Sequence, residues 1–241
     1  MFIRTESFRE FIRFYPIVTS IIAINIVLYL LTVLPILPTN WLMAHFAGIN
    51  IYIMQGEIWR LFTPIFMHSG FAHLLFNCFS LVLFGPPLER AIGKGRFLLV
   101  YFLAGIGANI ATLILEPLTY IHVGASGAIY GIFGFFIAII VYRRDLLSQQ
   151  NTQLILAITV IGVIMTFLQA NVNVIAHLFG LLAGFLTGSA MIKTRLKDGY
   201  HATRPPSQWK SSARKLKGVP LSTILIFGGI ILLAIIGLLS R

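Results

Sequence analysis

The stretch GASGAIYGIFGFFIAIIVY, residues 124–142, decides how this chain is read. It carries no charged residue, and its one serine, Ser126, stands among glycines and alanines. An apolar run of this length is a candidate membrane span. Small residues at its head let another helix approach closely, and a serine is small enough to serve that purpose. The same open space would also admit a substrate backbone to a nucleophile. The rest of the sequence separates packing from chemistry.

Composition narrows the field first. The 241 residues are 58% hydrophobic and only 10% charged, whereas soluble domains run to roughly a quarter charged. An ordinary water-soluble core is excluded. The net charge of +11 would suit a nucleic-acid partner, but the basic residues sit between apolar runs. Membrane orientation explains them better, and no nucleic-acid partner is expected. The single cysteine, Cys78, rules out an intramolecular disulfide framework and reads as a buried thiol. The mixed-charge start, MFIRTESFREFIRF, leads into a full-length apolar segment with no small-residue cleavage site after it. That pattern predicts an uncleaved first span rather than a signal peptide.

A transmembrane helix needs about 20 mostly apolar residues. Seven stretches qualify, near 17–37, 70–86, 97–115, 125–142, 154–170, 174–192 and 219–239. The expected fold is an all-α, polytopic membrane helix bundle. A short N-terminus (1–16) precedes a six-helix core (17–192), a basic linker (193–218) and a seventh transmembrane helix (219–241). The long connection 38–69 is rich in aromatics (Trp41, Phe46, Tyr52, Trp59, Phe62, Phe66). It is too broken by polar residues to span and too apolar to float free, so it predicts an interfacial segment. The linker, with RPPSQWKSSARKLK at 204–217, has no apolar periodicity and reads as a flexible cytoplasmic tether.

Sidedness follows from the cations. When the chain is threaded back and forth through these spans, all but Arg60 and Arg241 of its 18 lysines and arginines fall on one side. The positive-inside rule puts the N-terminus in the cytoplasm and the C-terminus outside. A bacterial plasma membrane is the expected location, since nothing resembles an organelle transit peptide. Spans two, four and six then begin at the outer surface. Their polar residues cluster near those starts: His73 and Asn77 in span two, Ser126 in span four, His177 in span six. With a rise of about 1.5 Å per residue, the four groups share one depth in the outer leaflet.

Each group alone has a bland explanation. A serine in a span usually bonds its own helix, a lone buried histidine is more often structural, and the repeated GxxxG of Gly180, Gly184 and Gly188 signifies close helix packing. Gly127, Gly131 and Gly134 offer a matching face on span four, so spans four and six are expected to touch, bringing Ser126 beside His177. Together at one depth, a serine and a histidine form the minimum nucleophile–base pair. Of the acidic residues, Glu57 and Glu116 fall in outer loops and the others on the cytoplasmic side, leaving a Ser–His dyad rather than a triad with a carboxylate. Paired intramembrane aspartates and an HExxH zinc motif are both missing from the sequence, and neither a metal nor a cofactor is expected.

These residues resemble the rhomboid family of intramembrane serine proteases. The resemblance covers about residues 55–192 through GEIWRLFTPIFMHSGFAHLLFN, GPPLERAIGKGRFLLVYFLAG, GASGAIYGIFG and AHLFGLLAGFLTG, in the family's order. It implies that Ser126 is the nucleophile and His177 the general base. It further implies an oxyanion hole of His73, Asn77 and the Ser126 backbone N–H, with Gly124 and Gly127 in support. Tyr130 would pack on the imidazole, Trp59 and Arg60 would be structural, and Glu89–Arg90 resembles the family's acidic–basic element after span two. The expected partners are transmembrane protein substrates and the bilayer, with the oligomeric state left open. Hydrolysis at this depth needs an aqueous cavity, lined by groups such as His68, Ser69 and Asn171. An inactive relative that binds transmembrane helices would lack the serine or the histidine, and both are present. A transporter would spread ionisable residues through both leaflets, whereas here they stay in one.

Overall fold

The computed structural model of the protein describes residue 2 and residues 5–38 and 40–197. Two helices open the chain, α1 (Phe8–Phe14) and α2 (Pro16–Val33). The long connection that follows folds into α3 (Trp41–Phe46), strand β1 (Gly48–Ile49), α4 (Asn50–Met54) and two 3₁₀ turns, Ile58–Leu61 and Thr63–Phe66. Then come α5 (Phe71–Ile92), α6 (Lys94–Leu115), strand β2 (Ile121–His122), α7 (Ser126–Tyr142), α8 (Gln149–Leu168) and α9 (Val174–Lys197). Five of these helices are long and apolar enough to cross a membrane, and α7 is a shorter apolar helix. The chain is an all-α polytopic bundle.

The core lies around α7, whose residues from Gly127 to Ile140 are all buried. A helix apolar on every side has no solvent or lipid face to offer and takes the centre. Helix α9 packs along it, backbone to backbone. A Cβ added to Gly180 would fall on the carbonyl oxygen of Gly127, and one on Gly184 would fall on that of Gly131. A Cβ on Gly134 would likewise strike the Leu181 carbonyl. The small-residue faces of the fourth and sixth spans do meet. On the periphery, α2 and α8 turn Ile24, Val27, Leu30, Ile161, Ile164 and Leu168 outward, an apolar surface suited to lipid.

Two features depart from the boundaries expected of the sequence. Helix α5 runs past Pro86 and Pro87 to Ile92, although interior prolines usually end or kink a helix. Tertiary contacts hold it: Gly85 packs on Val18, and the buried Glu89 carboxylate accepts the N–H groups of Ile17 (3.2 Å) and Val18 (3.0 Å). Those two are orphan donors in the first turn of α2, after a Pro16 that has no N–H to offer. Helix α9 continues to Lys197, so the first residues of the stretch read as linker are helical. Residues 198–241, with the seventh span, lie outside the described residues.

Residues 40–69 of the long connection form an ordered cap. Arg60 is buried and donates to the carbonyls of Ala47 and Ala44, both at 2.7 Å, while its Nε pairs with Glu57. Trp59 Nε1 donates to the His45 carbonyl at 3.1 Å. Strand β1 pairs antiparallel with β2, Gly48 opposite His122, which ties the cap to the segment leading into Ser126. Met54, Ile58 and Trp59 face outward, as an interfacial segment requires.

Candidate active site

Ser126 is the first residue of α7. The N–H groups of a helix's first turn have no intrahelical partner, and the helix dipole leaves that end partly positive. The site is therefore prepared for developing negative charge. Helix α7 has 17 residues and is about 25 Å long, less than the hydrocarbon thickness of about 30 Å. If its Arg143–Arg144 end is at one surface, Ser126 starts below the other.

Gly124 sets the approach to the serine. Its φ of +133° lies where side-chain-bearing residues are strained, and its N–H donates to the Pro64 carbonyl at 2.8 Å. A Cβ there would sit 2.7 Å from His73 Nε2 and 3.6 Å from Ser126 Oγ. The missing side chain is what lets the His73 ring and the serine hydroxyl face one small volume. His73 is held from its other side, Nδ1 lying 3.1 Å from Ser69 Oγ.

His177 arrives through the α7–α9 contact. A Cβ on Gly127 would lie 3.5 Å from the Ala176 carbonyl oxygen, so the residues next to Ser126 and His177 are in register. The imidazole stacks on Tyr130, centroids 4.1 Å apart and planes 16° from parallel. Its Nδ1 lies 2.8 Å from Thr166 Oγ1, which is in turn 2.9 Å from the Tyr130 hydroxyl. No hydrogen bond joins Ser126 to His177, in keeping with the looser geometry common before substrate binds.

Asn77 is buried one turn beyond His73, and its Nδ2 has no partner. His68, also buried, bonds the Phe66 carbonyl through Nδ1 (3.2 Å) and leaves Nε2 unpaired. Burial, reinforced by the neighbouring His73, pushes the His68 imidazole down to about 4. Of the groups expected to line a water-filled cavity, His68 and Ser69 adjoin His73, while Asn171 is an exposed turn residue with φ +62°. Among the described residues no three histidine, cysteine or carboxylate side chains are grouped to hold a metal ion.

Two residues escaped the sequence reading. Thr166 looks like any hydroxyl in an apolar span, although Thr152, Thr159 and Thr166 recur at every seventh position of one buried face, a period that could have flagged it. His122 gave no signal, because a two-residue strand has no pattern to read. Its ring is buried with both nitrogens unpaired and lies where a side chain on Gly48 would be.

The sequence model of the rhomboid domain matches residues 55–194. A protein of Bacillus subtilis (strain 168) that bears the name of a rhomboid protease, YdcA, is 50% identical over 186 residues, 77% of this chain and 94% of that relative. The rhomboid protease GluP of the same organism is 39% identical over 153 residues, 64% of this chain. This chain spans only 30% of GluP's length. RHOMBOID-like protein 1 of Arabidopsis thaliana is 29% identical over 187 residues, covering 77% of this chain and 48% of that protein.

Proposed function

The chain belongs to the rhomboid family, and we propose that it is a serine endopeptidase cutting transmembrane segments within the bilayer. Family membership and the protease-named relatives support intramembrane proteolysis. The finer assignment rests on one observation: Ser126 Oγ and His73 Nε2 share the space left by Gly124 at the start of α7. His177 enters the same end through the glycine-lined contact of α9.

In this reading His177 takes the Ser126 proton as the hydroxyl attacks the scissile carbonyl, then returns it to the leaving amine. Water hydrolyses the resulting acyl-enzyme by the reverse use of the same base. The oxyanion meets the Ser126 N–H, His73 and Asn77. For His73 to donate from Nε2, its Nδ1 must accept, and the Ser69 hydroxyl beside it is a suitable donor. The unpaired Nδ2 of buried Asn77 fits the same role: an empty donor costs about 1–3 kcal/mol in the resting protein and is repaid once an oxyanion forms. Each such donor is worth about 10²–10³ in turnover.

The cation pattern supports an outer-face position for the Ser126 end and a cytoplasmic N-terminus, and the Bacillus relatives support a bacterial plasma membrane. A polypeptide cut there must reach below the surface, which selects single-span proteins near the outer end of the span. A helical peptide bond must unwind first, and each unpaired backbone group in lipid costs several kcal/mol. Glycine or proline near the cut lowers that cost, and the crowding around Gly124, Ala125 and Gly127 favours a small residue just before it.

The test is cleavage of a single-span protein co-reconstituted in vesicles. A span with glycine near its outer end should be cut next to a small residue, and Ser126→Ala should cut nothing. A uniformly leucine-rich span cut as fast as the glycine-containing one would overturn the substrate reading.

A further inference from the structure

Thr152, Thr159 and Thr166 share one buried face of α8, and each hydroxyl reaches the carbonyl four residues back. The distances are 3.1 Å to Ser148, 2.7 Å to Ile155 and 2.9 Å to Gly162. This is the ordinary fate of a threonine in an apolar helix. Thr166 alone does more, because its Oγ1 also meets the Tyr130 hydroxyl at 2.9 Å and His177 Nδ1 at 2.8 Å. Gly162 makes room for this meeting: a Cβ there would lie 3.0 Å from the Tyr130 oxygen.

Counting protons fixes the direction of these bonds. A threonine hydroxyl has one hydrogen to give and two lone pairs to receive. Of its three partners, the Gly162 carbonyl can only accept, so it takes the Thr166 hydrogen. The two lone pairs then receive the Tyr130 O–H and the His177 Nδ1–H. All three bonds are satisfied in that arrangement. In the reverse one, with Thr166 donating to Nδ1, the carbonyl contact at 2.9 Å has no proton in it. We infer that Thr166 is a positioning residue that holds His177 as its Nδ1–H tautomer and leaves the lone pair on Nε2.

The inference rests on the reading of His177 as the general base. A neutral imidazole carries its proton on either nitrogen, and only the form with a free Nε2 lone pair can take the serine proton while Nδ1 is engaged on the far side. Among the described residues no carboxylate bonds to His177. A hydroxyl whose own hydrogen is committed to a backbone carbonyl supplies the orientation instead, while the Tyr130 ring fixes the plane. When the ring becomes imidazolium, Nδ1 remains a donor and the Thr166 bond persists, so no group has to reorganise during proton transfer.

The experiment uses full-length protein with ¹⁵N-labelled histidine, the His177 signals being identified by their loss in His177→Ala. At a pH where His177 is neutral, wild type and Thr166→Ser should report a protonated Nδ1. Thr166→Val should shift towards a mixture of tautomers. Its kcat should fall about 10- to 100-fold, the range expected when a catalytic group loses its orientation, with KM unchanged. Thr166→Ser should stay within about threefold of wild type. Thr159→Val, which also removes a buried α8 hydroxyl but one bonded only to its own helix, should leave both kcat and tautomer as they are. A wild-type His177 protonated on Nε2 overturns the inference, as does a Thr166→Val enzyme with unchanged kcat and tautomer. If Thr166→Val fails to fold, the wild-type and Thr166→Ser spectra decide alone. Should His177→Ala retain turnover, the general-base reading is what fails, and the tautomer readout still judges Thr166 separately.

Discussion

Asn77 and Glu89 lie on one helix, α5, and both are buried, at 6% and 2% exposure, yet their polar atoms fare oppositely. The Glu89 carboxylate is engaged by two backbone N–H groups of α2. The Asn77 amide nitrogen has no partner. Towards the Ser126 end, His68 Nε2 and both His122 nitrogens are also unpaired. Paired buried polar groups fasten helices together. Unpaired ones lower stability wherever they occur, as at Asn25 in α2 and the Tyr101 hydroxyl in α6, and those beside Ser126 are the ones a reaction could use.

The sharpest way to break this comparison is to remove Asn77. Asn77→Ala should lower kcat by about 10²–10³, with KM little changed and with no loss of stability in an unfolding titration. A marked loss of stability at normal turnover would make Asn77 structural and dissolve the contrast.

Glu89 should behave in reverse. Glu89→Ala strands the Ile17 and Val18 N–H groups and should cost about 2–4 kcal/mol of stability, while the folded fraction cleaves at the wild-type rate. Glu89→Gln keeps one accepting oxygen and should fall between the two. Chemical unfolding with activity corrected for folded fraction reads both effects.

The effect at His122 is absent at neutral pH and appears only on acidification. Burial pushes its imidazole down from 6.5 to about 4, so the folded protein keeps the ring neutral. Below its ordinary value the unfolded chain takes up a proton that the folded one refuses, and stability drains away as pH falls from about 6.5 towards 4. His122→Phe should flatten that part of the profile of unfolding temperature against pH, and an unchanged slope would show that another group is responsible.

Much of this arrangement was legible in the sequence, for physical reasons. Span length and apolarity reveal helices because lipid leaves the backbone no other partner. The glycines of α7 and α9 announced their contact because only missing side chains permit it. Ser126, His177, His73 and Asn77 could be grouped at one depth from the charge-defined threading alone; in the fold His73 faces the space beside Ser126 and Ala176, next to His177, meets Gly127. What stayed hidden depends on a third element. The sequence puts the end of the second span near 86, whereas the helix passes both prolines on support from α2, about seventy residues away in sequence. Thr166 drew no attention because nothing local to α8 reveals that Tyr130 and His177 converge on it. His122 is placed by its partner Gly48, which no local pattern links to it.

The central claim is that Ser126 is a nucleophile activated by His177 at the buried end of α7. The most direct measurement is covalent labelling of the membrane-embedded protein by a serine-reactive fluorophosphonate, with the adduct located by mass spectrometry. The account predicts one adduct, on Ser126, absent in Ser126→Ala and slowed by at least about 10³ in His177→Ala. Labelling of Ser126 at the wild-type rate in His177→Ala, or a cleavage-competent protein in which Ser126 takes no label, would contradict it.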